Sequence, residues 1–123
     1  MSLFDTDVLI DVLRGVPGSR EFMFKQYGKH NSISVITYGE LLFGMREHEI
    51  QPTLFFLSGF QVIAAGKETV ELAYEVKRKA KGHNLELYDC IIAATAITEK
   101  QAIITRNKKH YPDSRLREII PGY

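Results

Sequence analysis

Apolar positions in this chain change period repeatedly, and the changes divide it into alternating strands and helices. Ser2-Leu3-Phe4 is a short apolar run closed by Asp5, which reads as a first strand. From Asp7 to Arg14, the residues Val8, Leu9, Val12 and Leu13 recur at helical spacing, and Gly15 stops the helix. Ser19 to Tyr27 predicts a second helix, closed by Gly28, and Asn31 to Val35 alternates as a strand does. Thr37-Tyr38-Gly39-Glu40 has the form of a capping box, so a third helix is expected there, burying Leu41, Leu42 and Met45. Pro52 suits the first turn of a fourth, with Leu54, Phe55 and Leu57 behind it. Phe60 to Ala64 reads as a strand. Glu68 to Lys81 reads as a helix with Val70, Ala73, Tyr74 and Lys77 on one face and Gly82 as its left-handed cap.

Tyr88 to Glu99 is apolar nearly all round, through Ile91, Ile92, Ala93, Ala94, Ala96 and Ile97, which predicts a helix buried against several neighbours. Ala102 to Thr105 is a strand, and Glu118 to Ile120 a short last one. Strands that alternate with helices imply parallel β-α units. The expected fold class is α/β, a three-layer α/β/α sandwich around a central parallel sheet of four or five strands. No linker or repeat interrupts the pattern, so residues 1–123 read as a single domain.

Composition narrows the classes. With 45% hydrophobic and 25% charged residues the chain resembles neither a disordered nor a fibrous protein. No apolar run approaches the roughly 20 residues that span a bilayer, so no membrane role is expected. Asp5, Asp7 and Asp11 precede any basic residue, the wrong charge for a secretory signal, and a cytoplasmic location is expected. The single cysteine, Cys90, excludes an internal disulfide and every cysteine-based zinc pattern. The net charge of +1 hides a segregation: residues 1–75 hold 6 Lys/Arg against 10 Asp/Glu, and residues 76–117 hold 10 against 4. Such a cationic half suits contact with phosphates, although Lys77, Arg78, Lys79 and Lys81 also simply terminate a helix.

In parallel α/β sheets ligands bind beyond the carboxyl ends of the strands. Asp5 follows the first strand, Glu40 lies on the helix after the second, and Asp89 begins the helix leading into the fourth. Thr105, Arg106 and Asn107 close that strand. Carboxylates brought together must share protons or bind a divalent cation. Oxygen-only ligands select Mg²⁺ or Mn²⁺ over zinc, and such an ion suits phosphoryl chemistry. Each acid also has a structural alternative: Asp5 as a helix cap, Glu40 as half of the capping box, Asp89 as a partner of the helix dipole. Thr6 and Thr37 are expected as helix caps, and Thr105 as a hydrogen-bond donor to a carboxylate.

Phe4-Asp5-Thr6-Asp7-Val8-Leu9-Ile10-Asp11 resembles the opening motif of PIN-domain ribonucleases. Ser34 to Gly44 is similar to their second motif, Tyr88 to Ala96 to their third, and Ile104 to Tyr111 to their fourth. Order, spacing and length resemble the small VapC-type toxins of toxin–antitoxin pairs. The resemblance implies Mg²⁺- or Mn²⁺-dependent endoribonuclease activity with metal-binding acids at Asp5, Glu40 and Asp89. It places Asn107, as a catalytic position, where many relatives carry a fourth acid. Thr6, Thr37 and Thr105 are the candidates to stand behind the ligands. Arg106, Lys108 and Lys109 are then expected to grip the RNA backbone. A small antitoxin and a homodimer are the implied protein partners. Two other readings stay open. Asp5-Thr6-Asp7 also resembles the first motif of haloacid-dehalogenase-type phosphatases, and an inactive PIN-like binding module would keep the same groove.

Overall fold

The computed structural model describes residues 2–26, 30–80, 84–106 and 113–123. Five strands, β1 (Ser2–Phe4), β2 (Asn31–Ser34), β3 (Gln61–Ile63), β4 (Ala102–Ile104) and β5 (Glu118–Ile119), form one sheet in the order β3-β2-β1-β4-β5. Every pairing is parallel, with Leu3 opposite Ser32 on one side and Ile103 on the other. Helices α1 (Thr6–Arg14) and α2 (Ser19–Gln26) connect β1 to β2. A short 3-10 turn at Glu47–Glu49 lies between α3 (Val35–Gly44) and α4 (Ile50–Leu57), which lead to β3. Helices α5 (Lys67–Lys79) and α6 (Leu87–Thr98) then return the chain to β4.

The period-two alternation of the strands splits the core in two. Leu3 and Ile103 point to one face and pack with Ala73, Val76 and the buried run Cys90–Ala94 of α5 and α6. Phe4, Ile33 and Ile104 point to the other and pack with Val8, Leu9, Met23, Leu41 and Leu57. That is the expected three-layer sandwich. From β1 the chain builds outward to β3, then jumps back to place β4 on the other side of β1. The reversal opens a crevice at the carboxyl ends of β1 and β4, where a ligand site is expected.

Several boundaries differ from the expected ones, each for a local reason. Helix α3 starts at Val35 because the Ser34 side chain accepts the Ile36 N–H at 3.1 Å, so Ser34 is the cap and β2 runs straight into the helix. Thr37 therefore lies inside α3, fully buried, and the Thr37–Glu40 capping box does not form. Thr6 is likewise the first residue of α1, not its cap; Asp5 fills that place. On α5 the buried stripe is Ala73, Val76 and Ala80, while Val70 and Tyr74 are exposed. Two alanines on that stripe let α5 and α6 approach closely, which the bulkier alternative face would not. Helix α5 ends on Ala80, two residues before the expected glycine cap. Gly28 and Gly82 lie outside the described residues.

Candidate active site

Asp5 occupies the carboxyl end of β1, 5% exposed, and its position as the cap of α1 ties its carboxylate down. Its Oδ1 accepts the Thr6 N–H at 2.7 Å, and its Oδ2 accepts the Thr105 hydroxyl at 2.9 Å. The fourth strand thus holds the acid that follows the first, as the crevice between them requires. Thr6 Oγ1 donates to Glu40 Oε1 at 2.8 Å and shares a hydrogen bond of 3.0 Å with Thr37 Oγ1. Glu40 is reached because α3 begins at Val35, capped by Ser34, which places residue 40 on its second turn, above Thr37. All three threonines of the opening, second and fourth motifs thereby touch a site carboxylate or one another.

Burial and neighbouring charge both act on these acids. Burial pushes the Glu40 carboxyl above its ordinary value; the Thr6 hydrogen bond opposes this, and the charges of Asp5 and Asp89 add to it. Asp7 is pushed further, to about 6, by burial first and then by the charge of Asp5. Its Oδ2 accepts the Arg106 N–H at 3.3 Å, while its Oδ1 is buried without a hydrogen-bond partner among the described residues. A buried carboxylate oxygen without a partner among the described residues, close to the charge of Asp5, marks a place short of positive charge.

Asp89 stands at the third position of α6, where its Oδ2 accepts the Glu86 N–H at 3.2 Å, so its side chain closes its own helix end. Among the described residues, no three His, Cys, Asp or Glu side chains stand closely enough together to hold a metal ion. The donor chemistry nonetheless fits a hard cation: oxygen ligands, mutual repulsion and no thiol facing them. Cys90 is buried, and burial raises its thiol, so it packs as an apolar group. Asn107, Lys108 and Lys109 lie outside the described residues. Beside Glu40, residues Ile10, Leu13, Leu41 and Met45, with Arg14 and Glu49 at the rim, wall a cleft of about 210 Å³.

The family model for the PIN domain matches residues 2–112. The chain belongs to the PIN-domain family. Within that family it is similar to Ribonuclease VapC10 of Mycobacterium tuberculosis, 35% identical over 115 residues covering 91% of this chain and 86% of that protein. Ribonuclease VapC1 of Methanocaldococcus jannaschii is 31% identical over 120 residues, covering 95% and 82%. Among solved structures, the PIN domain of this chain superposes on a toxin-antitoxin complex from Klebsiella pneumoniae with a TM-score of 0.82, 30% identity and 98% of each chain covered. DNA-bound VapBC from Salmonella typhimurium shares the fold at a TM-score of 0.84, with 20% identity over 97% of this chain and 96% of that one. A PIN domain over nearly the whole chain leaves the Asp5-Thr6-Asp7 resemblance to phosphatases as a local coincidence of three residues.

Two contributors escaped the sequence reading. Asp11 accepts the Tyr123 hydroxyl at 2.6 Å and pairs with Arg106 Nε at 2.6 Å. The i, i+4 spacing of Asp7 and Asp11 was a visible sign that both share a face of α1; nothing in the sequence pointed to Tyr123.

Proposed function

We propose that this chain is a metal-dependent endoribonuclease, the toxin of a toxin–antitoxin pair. The observation that carries the reading is the joining of Asp5 and Glu40 through Thr6 in the crevice between β1 and β4. Asp5, Glu40 and Asp89 would hold Mg²⁺ or Mn²⁺, with Asp89 turning from the Glu86 N–H to do so. Bound there, a divalent cation lowers the pKa of water and offsets charge on an RNA phosphodiester. Thr105 and the Thr6 amide fix the Asp5 carboxylate, so its geometry is set before substrate arrives. Arg106 at the rim, with Lys108 and Lys109, would hold the RNA backbone without reading bases.

The apolar cleft beside Glu40 would seat a segment of the antitoxin, within reach of the acids it must silence. A second copy of the chain would cover the face that carries Phe43, 96% exposed, and Phe55, 83% exposed. Of the apolar residues between 41 and 60, Leu41 and Leu57 are buried in the core, and the Phe60 ring meets those of Phe4 and Phe56 edge-on.

The test is cleavage of total RNA by the purified protein in Mg²⁺ or Mn²⁺. Cleavage abolished by a chelator and restored by Mn²⁺ is expected; equal cleavage with chelator present would overturn the metal role. Sedimentation of the isolated chain is expected at about 28 kDa, twice its 14.0 kDa mass. A monomer that Phe43→Ser and Phe55→Ser leave unchanged would remove the dimer.

A further inference from the structure

Arg106 does not hang freely at the end of β4. Its backbone N–H donates to Asp7, and its guanidinium Nε pairs with Asp11, one turn further along the same helix. Asp11 is 5% exposed, so its charge is not solvated by bulk water and depends on its partners. The second partner is Tyr123, whose hydroxyl donates to the same Oδ2 that Arg106 meets. A 112-residue separation makes this a purely tertiary contact.

The fold makes a seat for that tyrosine. Gly18 has φ of +85°, and a Cβ built there would lie 2.6 Å from the Tyr123 Cβ. Only glycine therefore permits both the turn after α1 and the approach of Tyr123. The ring of Phe22 stands 6.0 Å from the Tyr123 ring and completes the seat. Pro121 is buried just before it.

We propose that Tyr123, acting through Asp11, is a positioning residue that orients Arg106 toward the phosphate backbone of an RNA substrate. The inference rests on the nuclease reading above and adds to it the residues that aim its cation. A guanidinium held at Nε keeps the outer edge of its fork turned away from the carboxylate that holds it. The half-exposed Arg106 side chain then presents that edge at the rim of the acidic crevice. Without the tyrosine hydroxyl, one donor fewer fixes the Asp11 rotamer, and the arginine loses a rigid anchor. Ground-state binding of RNA should suffer, and the chemical step should not.

The variant Tyr123→Phe keeps the ring on Gly18 and Phe22 and removes only the hydroxyl. With a labelled single-stranded RNA in Mn²⁺, KM should rise about fivefold, the size of one ordinary net hydrogen bond, while kcat stays within twofold. Arg106→Gln should raise KM further and lower the slope of affinity against salt by about one. In the Arg106→Gln background Tyr123→Phe should add nothing, since both act through one group. In parallel, the Arg106 Nε–H resonance should be protected from exchange in the unaltered protein and unprotected in Tyr123→Phe. A KM unmoved by Tyr123→Phe, an effect additive with Arg106→Gln, or a resonance equally protected in both proteins would overturn the proposal. Absence of cleavage by the unaltered protein would count against the nuclease reading instead, and the resonance alone would then decide the clamp.

Discussion

The two ends of the sheet bury polar side chains in opposite ways. At the amino ends of the strands, Ser2, Ser32 and Gln101 are all buried and all neutral. The Ser32 hydroxyl lies in hydrogen-bond reach of both the Ser2 carbonyl and the Gln101 amide oxygen, and the Ser2 N–H donates to the His30 carbonyl at 3.1 Å. At the carboxyl ends stand the acids Asp5, Asp7 and Glu40; the carboxyls of Asp7 and Glu40 are raised by burial and by the charge of Asp5, and one oxygen of Asp7 has no partner among the described residues. The first arrangement puts neutral groups within hydrogen-bond reach of one another, although the Asn31 Oδ1 at the same end is buried without a partner among the described residues. The second sets carboxyls where burial and charge oppose their ionisation. Polar burial of the first kind contributes stability, whereas polar burial of the second kind costs it and is retained for chemistry.

The largest test of that contrast is a pair of substitutions within the acidic end. Asp5→Asn should abolish RNA cleavage without lowering the melting temperature, because the amide oxygen can still cap α1 and one repelling charge is gone. Asp7→Asn should leave much of the cleavage, since Asp7 is engaged by Arg106 and not by the threonines that tie Asp5 to Glu40. Equal losses from both, in a gel assay of RNA cleavage, would make the two aspartates one catalytic unit and refute the division of roles.

At the opposite end the expected outcome reverses. Ser32→Ala strips the buried Gln101 amide oxygen of its hydroxyl donor, and a buried unpaired group costs about 1–3 kcal/mol. Thermal or urea unfolding should show that loss, with kcat untouched. A variant as stable as the original would mean that water enters that end of the sheet.

The smallest effect belongs to neither end. Asp113 accepts Arg115 side-chain hydrogen bonds of 3.0 and 2.8 Å, and these hold its carboxyl below the ordinary value of 3.8. A depressed folded value stabilises the fold above about pH 3.8, and the benefit is lost as pH falls through the folded value. Asp113→Asn should therefore cost about 0.5 kcal/mol or less at pH 7, after solvent screening, and nothing in strong acid. An equal cost at pH 7 and pH 2 in denaturant titrations would assign the effect to backbone turn geometry instead.

The acidic end was the more legible in the sequence. Asp5, Glu40 and Asp89 each follow a change of period from strand to helix or open a buried helix; the structure joins Asp5 to Glu40 through Thr6, while Asp89 caps its own helix. Their detailed holding was not legible. The Thr37–Glu40 spacing pointed to Thr37 as the cap of α3, whereas Ser34, the last residue of β2, takes that place three residues earlier. On α5, the periodicity put Val70 and Tyr74 on the buried face, and the packing of α6 against Ala73 and Val76 turns them outward. The seat of Tyr123 depends on a left-handed glycine meeting a side chain from the far end of the sequence. No local pattern records such an encounter.

The bond between Thr105 and Asp5 spans 100 residues of chain. It closes only when β4 lies beside β1, in a sheet whose inner strands come from both halves of the molecule. Contacts of such sequence separation form late and slowly. A chain that ends before residue 105 carries Asp5 and Glu40 but lacks the hydroxyl that fixes the second oxygen of Asp5. A message truncated before the fourth strand therefore encodes the acids without the group that aims the first of them.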